Sequence, residues 1–306
     1  MAKPKKYDCP HLPKGASMQI VQYFSGPPTQ PGDHKCNGDH CHLKGWLYIP
    51  ADVAAHRKAV VFVHGHNQHR KEPGAIASHF LRHGYVVFAP LRSGNTAGKK
   101  TDPKALRIHN SGKYIETWVG DQLKLHHGTR EEDRVKYLRD YQKYDVGIAL
   151  HYLAGLRDSH HHKLVHEGRI GLLGQSYGGS LVVFCSGGEF KVNPRAIADI
   201  SGGELSWKDG GPWEKWMCAA VRKRKVPIYF LQPRNGKSIR PTIVLSHEAA
   251  KTGDRQFEAT IFPPIKTKKK NSKYVHDEFV DNCEEVDQWG PSVRNFFERY
   301  FAPLKP

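Results

Sequence analysis

Gly174-Gln175-Ser176-Tyr177-Gly178-Gly179 is the stretch whose reading decides the fold. Before it, Arg169-Ile170-Gly171-Leu172-Leu173 is a short apolar run of the kind that forms a buried strand. After it, Ser180-Leu181-Val182-Val183-Phe184-Cys185 is apolar enough for a helix packed on a sheet. A serine with glycines two positions away on either side, between strand and helix, is the signature of a nucleophile elbow. A sharp turn there lifts the hydroxyl into a cleft, and the glycines let strand and helix approach each other around it.

Working outward, Gln19 to Phe24 and Leu43 to Ile49 read as strands, ended by Ser25-Gly26-Pro27-Pro28 and by Pro50. Ala59-Val60-Val61-Phe62-Val63 and Tyr85-Val86-Val87-Phe88-Ala89 are continuous apolar runs, as expected of strands buried on both faces. Ala75 to His83 lies between them as an amphipathic helix. Ala196 to Ile200, Val226 to Leu231 and Gln256 to Phe262 add further strands. Asp145 to Leu156 and Gly290 to Phe301 carry helical apolar stripes, and residues 204–225, with Trp207, Trp213 and Trp216, read as a helix. The alternation predicts an α/β fold with a mostly parallel central sheet and helices on both faces. Residues 1–42 read as an irregular lead-in with the first strand, and residues 43–306 as the main domain. About residues 99–144, where charge is dense and glycines interrupt, the sequence predicts a helical, lid-like insertion.

Lys and Arg outnumber Asp and Glu by 47 to 30, a net charge of +17 with histidines neutral. That field favours anionic partners. With neither zinc-finger spacing nor an RNP-like motif, nucleic acid is not the expected main partner. No apolar run reaches the roughly 18 residues of a membrane span. The basic start Met1-Ala2-Lys3-Pro4-Lys5-Lys6 lacks the apolar segment of a secretory signal, so a cytoplasmic location is the default expectation. Cys36 and Cys41, five apart among His34, His40 and His42, leave metal binding, a small disulfide loop and neither as open readings. The histidines at 160–162 read as a solvated loop, and Cys185 as a buried thiol.

A serine hydroxyl needs a general base, and the base needs an orienting group. His276, in Tyr274-Val275-His276-Asp277, is the histidine that follows the last strand, and a loop position is expected for it. On these residues the chain resembles the α/β-hydrolases, and within them the dienelactone-hydrolase-like and prolyl-oligopeptidase-like esterases and peptidases, over roughly residues 43 to 303. His64-Gly65-His66 is similar to that family's turn after its third strand, Pro90-Leu91-Arg92-Ser93-Gly94 to its Pro-x-Arg-x-Gly turn, and Trp289-Gly290-Pro291 to a segment preceding its last helix.

The resemblance implies Ser176 as nucleophile, His276 as base, and the His66 and Tyr177 N–H groups as the oxyanion hole, with no metal or organic cofactor. It also implies an acid a few residues beyond Leu231, but Pro233-Arg234-Asn235-Gly236-Lys237-Ser238 has glycine in that place. Asp199 is therefore taken as the acid, with Glu204 as another candidate. Lys266, Lys268, Lys269, Lys270 and Lys273, ahead of His276, either draw in an anionic substrate or form a solvated loop. The expected activity is hydrolysis of a small carboxylic ester through an acyl-enzyme. A serine peptidase, and a scaffold of impaired catalysis that binds an anionic ligand, are the alternatives.

Overall fold

The computed structural model describes residues 12–24, 42–53, 57–65, 69–70, 73–91, 96–97, 131–267 and 272–303. The strands of its main sheet are β1 (Ser17–Phe24), β2 (His42–Ile49), β3 (Lys58–Val63), β4 (Tyr85–Leu91), β5 (Ile170–Gln175), β6 (Ala196–Ile200), β7 (Ile228–Pro233) and β8 (Phe257–Phe262). They form one eight-stranded sheet in the order β1-β2-β4-β3-β5-β6-β7-β8. β1 pairs with β2 and β2 with β4 in antiparallel fashion, and every pairing from β4 through β3 to β8 is parallel.

The helices are α1 (Gly74–Leu81), α2 (Glu131–Tyr137), α3 (Lys143–Gly155), α4 (Tyr177–Phe184), α5 (Pro212–Arg222), α6 (Arg240–Lys251), α7 (Ser272–Asp281) and α8 (Cys283–Tyr300). Every residue of β3 is buried, and its side chains divide between two cores by the two-residue period of a strand. Ala59, Val61 and Val63 face the layer that holds Leu150 and Leu153 of α3, Val182 of α4, Val221 of α5 and Leu245 of α6. Val60 and Phe62 face Phe80 of α1, Phe279 of α7 and Phe296 of α8. Burial on both faces is why these strands read as unbroken apolar runs.

Residues 99–130 of the expected insertion lie outside the described residues, and its later part joins the core. α2 buries Val135, and a five-residue π-helical stretch, Leu138–Gln142, carries the chain directly into α3. The 204–225 segment is helical only from Pro212, where proline starts the first turn.

The carboxyl end of the chain departs further from expectation. His276 lies on a helix, α7, rather than in a loop. Trp289, Gly290 and Pro291 lie in the interior of α8 rather than at its start, because Asn282 caps that helix a full turn and more upstream by accepting the Glu284 N–H at 3.0 Å. Trp289 is fully buried, and its Nε1–H donates to Phe279 O at 2.7 Å. That bond ties α8 to the helix that carries His276. Trp289→Phe removes this donor and part of the buried ring. It should destabilise the protein by about 1–3 kcal/mol, read from urea unfolding. An unchanged unfolding midpoint would contradict the tie.

Candidate active site

Parallel register brings the chemistry-bearing residues to one edge. Gln175 pairs with Ile200, the last residues of β5 and β6, and Ile200 with Leu231, two residues before the end of β7, so the chain leaves these strands along one edge of the sheet. In an open parallel sheet, that carboxyl edge is where ligand crevices form.

At the end of β5 the backbone turns into α4 through Ser176, with φ 58° and ψ −116°. Such a conformation costs a non-glycine residue on the order of 1–3 kcal/mol and persists only where its surroundings hold it. Here the Ser176 N–H donates to Ile200 O at 2.8 Å, and Ser176 O accepts the Ser180 N–H at 3.0 Å. A Cβ on Gly178 would fall 2.1 Å from Val63 O, so only glycine lets α4 sit this close to the end of β3. Ser176 itself is partly exposed between buried neighbours. Tyr177 begins α4, where backbone N–H groups have no acceptor within the helix. Its ring meets Trp213 edge-on at 6.0 Å. His66 lies outside the described residues, which reach Gly65 just past β3.

His276 is 2% exposed, and its Nδ1 lies 2.6 Å from Glu204 Oε2. A carboxylate only accepts, so in a neutral imidazole the proton sits on Nδ1 and Nε2 carries the lone pair. That Nε2 is buried and makes no hydrogen bond among the described residues. Gln175, the residue before Ser176, donates from Nε2 to His276 O at 3.4 Å and so draws α7 to the elbow.

The carboxylate at His276 is therefore that of Glu204, and the expectation for Asp199 is corrected. Asp199 points its Oδ1 at the Gly202 N–H, 2.8 Å away, and that backbone group holds it. Glu204 lies four residues beyond β6, with a side chain wholly buried. Its Oε1 accepts the Lys237 N–H, from the loop after β7. A Cβ on Gly236 would fall 2.3 Å from that same Oε1. The glycine that stands where an aspartate was expected thus makes room for a carboxylate arriving from the neighbouring strand. Asn235 accepts the Ile265 N–H at 3.0 Å and donates to Ile265 O at 2.9 Å, binding the loops after β7 and β8 together.

Cys185 and Cys218 are free and buried, and Cys36 and Cys41 lie outside the described residues. Burial pushes the Cys185 thiol well above its ordinary range, as expected of an inert structural cysteine. Lys266 is exposed, and Lys268, Lys269 and Lys270 lie outside the described residues. Among the described residues, no group of three or more His, Cys, Asp or Glu side chains is placed to hold a metal, and no helix is long and apolar enough to cross a membrane.

Burial pushes the Asp199 carboxyl up from its ordinary 3.8 to about 7. Between about pH 4 and about pH 7 the folded protein keeps a proton that the unfolded chain has released, so this group's contribution to stability falls as pH rises through that window. Asp199→Asn removes the dependence. The unfolding midpoint of the wild type should fall relative to the Asn variant across that range and then level off. A constant difference would contradict the assignment.

No family model matches the chain, and no curated protein matches it by sequence. Solved structures do. A Pyrococcus furiosus esterase superposes with a TM-score of 0.56 at 16% identity, covering 94% of this chain and 92% of its own. A Pyrococcus horikoshii acylaminoacyl peptidase gives 0.56 at 14% identity over 96% of this chain. Porphyromonas gingivalis dipeptidyl peptidase 4 gives 0.54 at 11% identity over 92%. This chain spans only 43% of that acylaminoacyl peptidase and 35% of that dipeptidyl peptidase. These likenesses and the strand order agree on the architecture, and the chain has the α/β-hydrolase fold.

Proposed function

We propose that the protein is a serine hydrolase that cleaves small carboxylic esters through an acyl-enzyme. The observation that carries the reading is the buried His276–Glu204 pair at 2.6 Å, brought to the elbow of Ser176. In this reading His276 Nε2 takes the Ser176 hydroxyl proton as Oγ attacks the acyl carbon. Glu204 holds the ring in the required tautomer and stabilises the imidazolium that forms. The Tyr177 N–H, with that of His66, stabilises the carbonyl oxygen as it becomes an oxyanion. Collapse breaks the ester C–O bond, and His276 returns its proton to the departing alcohol. Water, activated by the same base, then releases the acid.

Esters are favoured over amides because the likeness to the esterase runs nearly end to end on both chains. On charge grounds, esters that bear an anionic group are the favoured subclass, with a net charge of +17 and exposed Arg234 and Lys266 on the joined loops. The impaired-scaffold alternative rested on Gly236, and Glu204 supplies the carboxylate that glycine lacks.

Short p-nitrophenyl esters test the reading directly. Ser176→Ala should lower kcat by on the order of 10⁶-fold, to near background, and Glu204→Gln by on the order of 10⁴-fold. Wild-type turnover no faster than the Ser176→Ala variant would overturn the esterase reading, and dipeptidyl p-nitroanilides under the same conditions would then decide for or against a peptidase. Gly236→Asp forces a second carboxyl against Glu204 and should lower kcat by about tenfold or more. A rise in kcat would show that Glu204 is not the acid in use.

A further inference from the structure

Glu204 reaches His276 by way of a turn whose backbone is held on several sides. Ser201, 2% exposed, has φ 53°, and Gly203 has φ 76°. The left-handed region costs a residue with a side chain about 1–2 kcal/mol, so the turn depends on the bonds that keep it. The Ser201 N–H donates to Leu231 O at 3.0 Å, and the Glu204 N–H donates to Ser201 O at 3.3 Å. The Gly202 N–H donates to Asp199 Oδ1 at 2.8 Å.

Asp199 is 3% exposed and packed tightly at this place. Its Oδ1 lies where a Cβ on either Gly179 or Gly202 would fall, 2.3 Å from each such position. Gly179 is in the first turn of α4, the helix that follows the nucleophile. One carboxyl group is thus wedged between the elbow helix and the turn that delivers Glu204.

We propose that Asp199 is a positioning residue, which fixes the Ser201–Glu204 turn against α4 through the Gly202 N–H and so sets the contact between Glu204 and His276. The inference rests on the reading of Glu204 as the acid. What the position requires is an acceptor oxygen of carboxyl size. Burial favours the neutral form of Asp199, so an asparagine carbonyl serves equally well.

A double-mutant cycle tests this, with kcat and KM read on p-nitrophenyl acetate and thermal melts confirming folded protein. Asp199→Val keeps roughly the volume and removes the acceptor. It should lower kcat by about 10- to 100-fold with KM changed less than about twofold. Asp199→Asn should stay within about threefold of wild type. In a Glu204→Gln background, Asp199→Val should cost less than about twofold more, because its effect runs through the group already removed. Should the valine variant not fold, Asp199→Ala supplies the same comparison.

The proposal is overturned if the acceptor-less variant costs the same factor in the wild-type background as in the Glu204→Gln background, or if Asp199→Asn falls as far as Asp199→Val. It is likewise overturned if Glu204→Gln lowers kcat while Asp199→Val leaves it unchanged. If instead Glu204→Gln leaves kcat unchanged, the acid assignment fails, and the positioning role falls with it.

Discussion

The hydrogen bond between His276 Nδ1 and Glu204 Oε2 is the interaction around which this edge of the molecule is built. Withdrawing a carboxylate wholly from water costs several kcal/mol unless its oxygens find donors. Both do, since Oε2 meets the imidazole and Oε1 meets the Lys237 N–H. Each donor arrives on a different element, α7 for His276 and the loop after β7 for Lys237, so one side chain holds together segments far apart in sequence. The missing Cβ at Gly236 is the steric condition for that convergence.

The sheet makes the convergence possible. The neighbouring strands run parallel, so the elbow after β5, the turn after β6 and the loop after β7 all lie at the same edge of the sheet. Ser176 and Ser201 stand at the first position beyond β5 and β6, both with positive φ, and their N–H groups donate across to Ile200 O and Leu231 O. Strain at these positions is offset by ladder-like bonds to the next strand. His276 then needs only a support from behind, which α8 gives through Trp289 and its bond to Phe279.

Much of this was legible in the sequence. β3 and β4 are buried on both faces and so appear as unbroken apolar runs, and glycines around Ser176 reflect contacts that no side chain would fit. His276 follows from chain order, because a histidine beyond the last strand has few competitors. The carboxylate at His276 was not legible in the same way. Asp199 and Glu204 lie five residues apart around one turn, and which of them meets His276 is settled by Ser201 and Gly203 redirecting the backbone, a tertiary matter without periodicity. α6 was missed because its buried residues include Pro241, Thr242 and Glu248 beside Leu245 and Ala249, so burial does not follow an apolar stripe. The start of α8 was misplaced because Gly290 and Pro291 look like helix breakers, whereas the capped turn at Asn282 precedes them.

The central claim is that Ser176 is an activated nucleophile, and covalent labelling measures that property without presuming a substrate. A fluorophosphonate incubated with the native protein, followed by peptide mass spectrometry, should place a single adduct on Ser176. Heat-unfolded protein should give none, because the hydroxyl then loses its base. An adduct elsewhere, or equal labelling of native and unfolded chains, would contradict the account.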